Sequence, residues 1–90
     1  MKIIKFEATW CAPCKRQNDE FGRYPLKVPV ESIDIDGCEC DQELLMIHHV
    51  SSIPKMILFD DNDEVLNEWT GLTRSSEINA FIDGRQTTTD

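Results

Sequence analysis

Residues 6–15 read Phe6-Glu7-Ala8-Thr9-Trp10-Cys11-Ala12-Pro13-Cys14-Lys15, and the place of this run along the chain decides the fold. Ahead of it, residues 2–8 carry Ile3, Ile4, Phe6 and Ala8 and read as a strand. After it, from Ala12 to Arg23, the composition turns helical, and Gly22, Tyr24 and Pro25 close the helix. The two cysteines therefore fall where a strand hands over to a helix. A cysteine at a helix N-terminus faces backbone N–H groups without intrahelical partners and the positive end of the helix dipole. Both favour the thiolate, which is the species that attacks a disulfide. Two intervening residues put the second sulfur one helical turn on, where it can close a disulfide with the first or resolve a mixed disulfide. Pro13 costs little in the first turn, because its missing N–H would have no partner there, and it stiffens the loop. A bare Cys-x-x-Cys also fits half a metal site or two inert thiols. The strand before it, the helix after it and the βαβ pattern around it favour the redox reading.

Working outward, residues 28–35 alternate like a second strand, Asp36-Gly37 turns, and Asp41 to about Val50 reads as a short helix with Asp41 as N-cap. Met56-Ile57-Leu58-Phe59 is a third strand. Asp60 to Asp63 form a turn, and Glu64 to Trp69 make a fourth strand paired as a hairpin with the third. Thr73 to Glu77 open a last helix, capped by Ser75 or Thr73, with Ile78, Phe81 and Ile82 as its apolar stripe. Residues 86–90 read as a frayed tail. The order is β-α-β-α-β-β-α, an α/β fold. A strand, crossover helix and strand give a right-handed parallel pair, and the hairpin adds antiparallel pairing. The expectation is a four-stranded mixed sheet with helices on both faces, in a single domain spanning residues 1–90.

Ninety residues leave no room for a second core. Seventeen acidic against nine basic residues give a net charge of −8. That argues against non-specific binding to nucleic acid or anionic membrane, and weakly for partners with basic surfaces. No apolar run approaches the ~20 residues that span a bilayer. Met1-Lys2-Ile3-Ile4-Lys5-Phe6 lacks the apolar core and cleavage site of a signal peptide. A reducing, cytoplasmic setting is expected, in which four cysteines are redox-active or metal-binding rather than structural staples.

The run from Phe6 to Lys15 resembles the active-site segment of thioredoxins. Ser52-Ile53-Pro54-Lys55 before Met56-Ile57-Leu58-Phe59 resembles that family's cis-proline loop and the strand after it. Trp69-Thr70-Gly71 resembles its late glycine segment, and Ile33-Asp34-Ile35-Asp36 its intervening strand end. The likeness covers nearly the whole chain and implies a minimal, glutaredoxin-sized thioredoxin-like fold without the extra N-terminal strand and helix of full-length members. It implies a thiol–disulfide oxidoreductase with Cys11 as nucleophile and Cys14 as resolving thiol. Pro54 would follow a cis bond, which frees the backbone of Ile53 to pair with an extended substrate. Trp10, Ala12, Pro13 and Gly71 would complete the docking surface, Trp10 as a flat apolar rim and Gly71 as a point of close approach. The implied partners are disulfide-containing proteins and a flavin-dependent recycling enzyme like thioredoxin reductase. The chain would act as a monomer, with no metal and no cofactor beyond the Cys11–Cys14 disulfide itself.

Two positions depart from the family pattern. Ala12 stands where glycine is usual, a change that favours the helix by roughly 1 kcal/mol and alters potential rather than activity. Lys5 falls where the family usually carries a buried aspartate that aids proton transfer at the resolving cysteine. A cation there would stabilise either thiolate and tune its pKa; alternatively the ammonium reaches solvent or pairs with Glu7 or Glu31. Cys38-Glu39-Cys40 lies outside the family pattern and reads as idle thiols, a secondary redox pair or metal donors. His48 and His49, adjacent on a helix, point about 100° apart and do not readily share one ion; His48 is expected on the inner side and His49 in water. The other functional readings are a glutathione-dependent, glutaredoxin-like enzyme, a thioredoxin-fold binding module with incidental cysteines, and a metal protein using Cys11, Cys14, Cys38 and Cys40.

Overall fold

A computed structural model describes residues 1–36, Met46 and 52–87, with side chains described as far as Gly84. The helix read over Asp41–Val50, the Cys38–Cys40 pair, both histidines and residues 88–90 lie outside the described residues, Met46 apart. Four strands form one mixed sheet: β1 (Lys2–Glu7), β2 (Val30–Asp34), β3 (Lys55–Phe59) and β4 (Val65–Thr70), in the order β2-β1-β3-β4. Helix α1 (Ala12–Arg23) joins β1 to β2, and α2 (Ser75–Thr87) follows β4. β1 pairs with β2 in parallel, Ile3 opposite Val30. It pairs with β3 antiparallel, Ile4 opposite Ile57. The β3–β4 hairpin has the expected turn: Asp60 accepts at Oδ1 from the N–H groups of Asn62 and Glu64, at 2.8 and 2.9 Å, and Asp63 takes a left-handed φ of 62°. One bulge between Leu58 and Phe59 shifts the register.

Alternation along β1 and β3 divides the core between the two faces of the sheet. Ile3, Met56 and Leu58 face the two described helices and meet Ile78 and Ile82 of α2, all five fully buried, with Phe21 of α1 packed against them. Burying each such aliphatic side chain is worth about 1.5–3 kcal/mol. Trp69 of β4 meets Phe81 of α2 edge-on, with ring centroids 5.7 Å apart. Phe6, Ile57 and Phe59 point to the other face, where Ile4, Ile33, Ile35 and Ile53 pack on them. No described helix is long and apolar enough to cross a membrane.

The structure revises several boundaries. β2 is shorter than residues 28–35, and β4 runs one residue further along the chain at each end than Glu64–Trp69. α2 keeps helical backbone through Thr87, so Gln86 and Thr87 belong to the helix rather than to a tail. Neither Ser75 nor Thr73 caps α2 through its side chain. The Glu20 carboxylate of α1 instead accepts from the Ser75 N–H at 2.8 Å, while the Ser75 hydroxyl is buried without a partner and Thr73 Oγ1 donates to the Gly71 carbonyl. A carboxylate brought from another helix satisfies the same orphan donor that a local cap would.

Gln17, fully buried on α1, makes the second tie between these elements. Its amide donates to the Thr73 carbonyl and accepts from the Thr73 N–H, both at 2.8 Å. A glutamine can pair with both backbone groups of one residue at once, and here it replaces the partners that the loop after β4 would otherwise lack. Gln17→Leu keeps the volume and strands both backbone groups in the interior. It should cost about 2–4 kcal/mol and lower the melting temperature by roughly 10–30 °C. A melting curve by circular dichroism that matches the unsubstituted protein would show that water replaces the glutamine there.

Candidate active site

Three elements converge on Cys11. β1 ends at Glu7, hydrogen-bonded along both edges, so the point at which the chain leaves the sheet is fixed. The Cys11 N–H then donates to the Ala8 carbonyl at 3.2 Å, which closes a tight turn into α1. Cys11 is the N-cap of that helix, with extended backbone at φ −90° and ψ 106°, and Pro13 occupies the first turn as expected. Its Sγ accepts from the Cys14 N–H at 3.2 Å, as a serine or aspartate cap would through oxygen.

Cys11 and Cys14 form a disulfide, with Cα atoms 5.2 Å apart. Both residues are buried, at 4% and 1% exposure, in a small apolar cluster with Ala8, and Ile35 and Ile53 pack against it. The site expected from spacing alone is therefore assembled from residues far apart in sequence. Ile53 comes from the loop before β3, and the Ile53–Pro54 peptide bond is cis. The Pro54 carbonyl accepts from the Gly71 N–H at 2.8 Å, which fixes the loop before β3 and the loop after β4 to each other. Gly71 has a φ of +85°, a conformation that a side chain disfavours, and a Cβ there would meet open space. Among the described residues, nothing pairs with the backbone N–H or C=O of Ile53.

Trp10 stands beside the disulfide and is 66% exposed. Its indole N–H donates to Asp36 Oδ2 at 2.6 Å, so the ring is held in place although its faces meet water. Asp36 is a site residue that sequence reading placed only in a turn. The available signal was that an exposed tryptophan N–H needs a partner, but 26 residues separate the two.

Lys5 is 1% exposed, and its side chain lies on the face of β1 that looks towards α1. The ammonium pairs with the Glu7 carboxylate and donates to the Asn18 side-chain oxygen. Of the readings open from sequence, pairing with Glu7 is the one observed. Asn18 follows Cys14 by four residues, one turn further along the same helix. The cation is thus tied to α1 one turn beyond Cys14, and its charge is paired with Glu7. Among the described residues, no group of three or more His, Cys, Asp or Glu side chains is arranged to hold a metal.

The family model of Thioredoxin matches residues 1–84. Thioredoxin C-2 of Corynebacterium nephridii is 31% identical over 85 residues, which take in 90% of this chain and 75% of that protein. The mitochondrial thioredoxin of Bos taurus is 26% identical over 84 residues, and the chain spans about half of its length, 48%. Among solved structures, a mutant thioredoxin from Halobacterium salinarum superposes with a TM-score of 0.77 at 26% identity, over 92% of this chain and 72% of that one. Thioredoxin-2 of a malaria parasite gives 0.75 at 23% identity, over 92% of this chain and 81% of that one. Sequence and architecture agree with the placement of the disulfide between β1 and α1, and they support thiol–disulfide redox chemistry at that pair. The chain belongs to the thioredoxin family.

Proposed function

We propose that this protein reduces disulfides in other proteins, with Cys11 as the attacking sulfur and Cys14 as the resolving one. The observation that carries the assignment is the hydrogen bond from the Cys14 N–H to Cys11 Sγ at the start of α1. In the dithiol state the same N–H and the helix dipole favour a Cys11 thiolate over the thiol. The thiolate attacks one sulfur of a substrate disulfide, a mixed disulfide forms, and the other substrate sulfur leaves as thiolate and takes up a proton. Cys14 then loses its proton and attacks Cys11 Sγ, releasing the second substrate thiol. Two electrons and two protons pass to the substrate, and the Cys11–Cys14 disulfide is left behind.

The surroundings suit an extended protein chain better than a small molecule. The backbone of Ile53, which pairs with no described residue, offers one donor and one acceptor to a strand of substrate. Trp10 presents a fixed aromatic face on one side, and open space at Gly71 admits a backbone on the other. Ala12 and Pro13 are exposed at the tip between the sulfurs. Recycling requires two electrons from a dithiol or flavin donor, and a flavin-dependent enzyme like thioredoxin reductase fills that role. A monomer in a reducing, cytoplasmic setting, needing no cofactor besides its own disulfide, completes the reading.

Incubating Cys14→Ser with oxidised insulin should accumulate a mixed disulfide on Cys11, and Cys11→Ser should accumulate none. Trapping on Cys14 in the Cys11→Ser protein, at a rate similar to that of Cys14→Ser, would reverse the two roles.

Lys5 contributes through charge at Cys14. A unit charge ~6 Å from a sulfur is worth ~2–3 kcal/mol at an effective dielectric near 20 before solvent screening, and the Glu7 carboxylate cancels most of it. Lys5→Met leaves Glu7 as a lone negative charge behind the sulfur. It should therefore raise the Cys14 thiol pKa by about one unit and make the reduction potential more negative. Adding Glu7→Gln removes that charge and should return both quantities towards their starting values. If neither the single nor the double variant moves them while the fold is intact, the pair only fastens β1 to α1.

A further inference from the structure

Four of the eight described lysine and arginine side chains are neutralised locally. Lys2 pairs with Asp63, Lys5 with Glu7, Lys27 with Asp83 and Lys55 with Glu68. Among the described side chains, the four without an ion pair are Lys15, Arg16, Arg23 and Arg74. Three of these four border one groove of about 290 Å³ between α1 and the loop that follows Gly71, together with Tyr24 and Leu72. The groove continues past Tyr24 and Arg74 into a second hollow of about 580 Å³ along the start of α2. One end is joined to the active site through Leu72, which follows Gly71; the Gly71 N–H bonds the carbonyl of Pro54, next to the Ile53 that packs on the cysteines. Tyr24 and Leu72 are 60% and 56% exposed, apolar surface of the kind that usually finds cover.

Two carboxylates also line the groove. Glu20 accepts from the Ser75 N–H at the start of α2 and keeps its negative charge. Asp19 is exposed on α1 between Arg16 and Arg23 and makes no ion pair with either. Three guanidiniums against two carboxylates leave the groove at a net charge of +1 on a molecule whose net charge is −8. Guanidinium groups present paired N–H donors that match a carboxylate, and they lose less hydration than ammonium on contact. Beyond about 8 Å at physiological ionic strength the negative remainder of the surface is screened. A docked chain therefore meets the local guanidiniums rather than the net charge.

We infer that this groove docks acidic segments of disulfide-bearing partner proteins, with glutamate or aspartate side chains on the three arginines and apolar side chains on Tyr24 and Leu72. The inference rests on the proposed disulfide reduction for its biological sense, but the surface can be tested without any redox step. A short glutamate-rich peptide with serine in place of cysteine, titrated into the isotopically labelled protein, should shift amide signals at Arg16, Arg23, Leu72 and Arg74. A glutamine-rich peptide of the same length should not. The same two sequences carrying a cysteine disulfide should be reduced at different rates, the acidic one about tenfold faster at low salt, with the difference fading as salt is added. Arg23→Gln with Arg74→Gln should remove most of that preference and leave reduction of the neutral peptide unchanged. Lys27→Gln, in an ion pair elsewhere, should leave the preference intact. Equal rates for the two peptides, or a preference that survives loss of both arginines, would overturn the docking surface. If the serine peptide binds as described but neither disulfide is reduced, the docking surface stands and disulfide reduction fails.

Discussion

The hydrogen bond from the Cys14 N–H to Cys11 Sγ is short-range, yet it depends on nearly every other feature of the fold. It exists because α1 begins at Ala12 rather than a residue earlier or later, which makes Cys11 the cap. The start of α1 is fixed by the end of β1, and β1 is fixed because β2 and β3 bond to its two edges. An edge strand could slide or fray, and its helix would move with it. A strand bonded on both sides cannot change register without turning Ile3 and Phe6 out of their respective cores. The position of one sulfur relative to one N–H thus rests on the burial of side chains on both faces of the sheet.

The same strand carries the least expected residue. A lysine fully enclosed in the core is costly unless its charge is paired and its remaining donors are satisfied. Glu7 from its own strand pairs the charge of Lys5, and Asn18 from α1 takes a second of its three N–H groups. Lys5 and Glu7 are two apart in an extended chain, so both side chains leave the same face. Asn18 closes the arrangement from the helix. Nonpolar residues of similar volume would often hold the two elements together as well. A charged pair is therefore poorly explained by stability alone, and its partner Asn18 lies one turn beyond Cys14 on α1.

The strands and helices were legible because their signals are local. Alternating apolar residues, Pro13 in a first turn and the aspartates of the β3–β4 turn each act within a few residues. The cysteine pair was legible for the same reason, and the loop at Pro54 was legible through its resemblance to a family pattern. What escaped reading is carried by partners distant in sequence. Gln17 reaches Thr73, Glu20 reaches Ser75, and Trp10 reaches Asp36. In each case a polar side chain has several backbone or side-chain partners it could serve, and tertiary packing selects one: α1 against the segment after β4 for Gln17 and Glu20, and the loop after β1 against the end of β2 for Trp10. The misread cap of α2 shows this directly. Ser75 and Thr73 are good capping residues by type, but a carboxylate from α1 already occupies the site they would fill.

Charge follows the same rule at a larger scale. A net charge of −8 describes the molecule at a distance and suggests partners with basic surfaces. Folding sorts that charge unevenly. Acidic residues on β4, on α2 and in the β3–β4 turn neutralise lysines on the sheet and in the segment after α1. Among the described side chains, α1 keeps Arg16 and Arg23 without an ion pair on the side it turns towards Arg74. Asp19 and Glu20 offset only part of that charge, and the Glu20 carboxylate at the same time bonds the N-terminus of α2. One carboxylate thus both fastens the C-terminal helix to α1 and limits the positive charge of the surface between them.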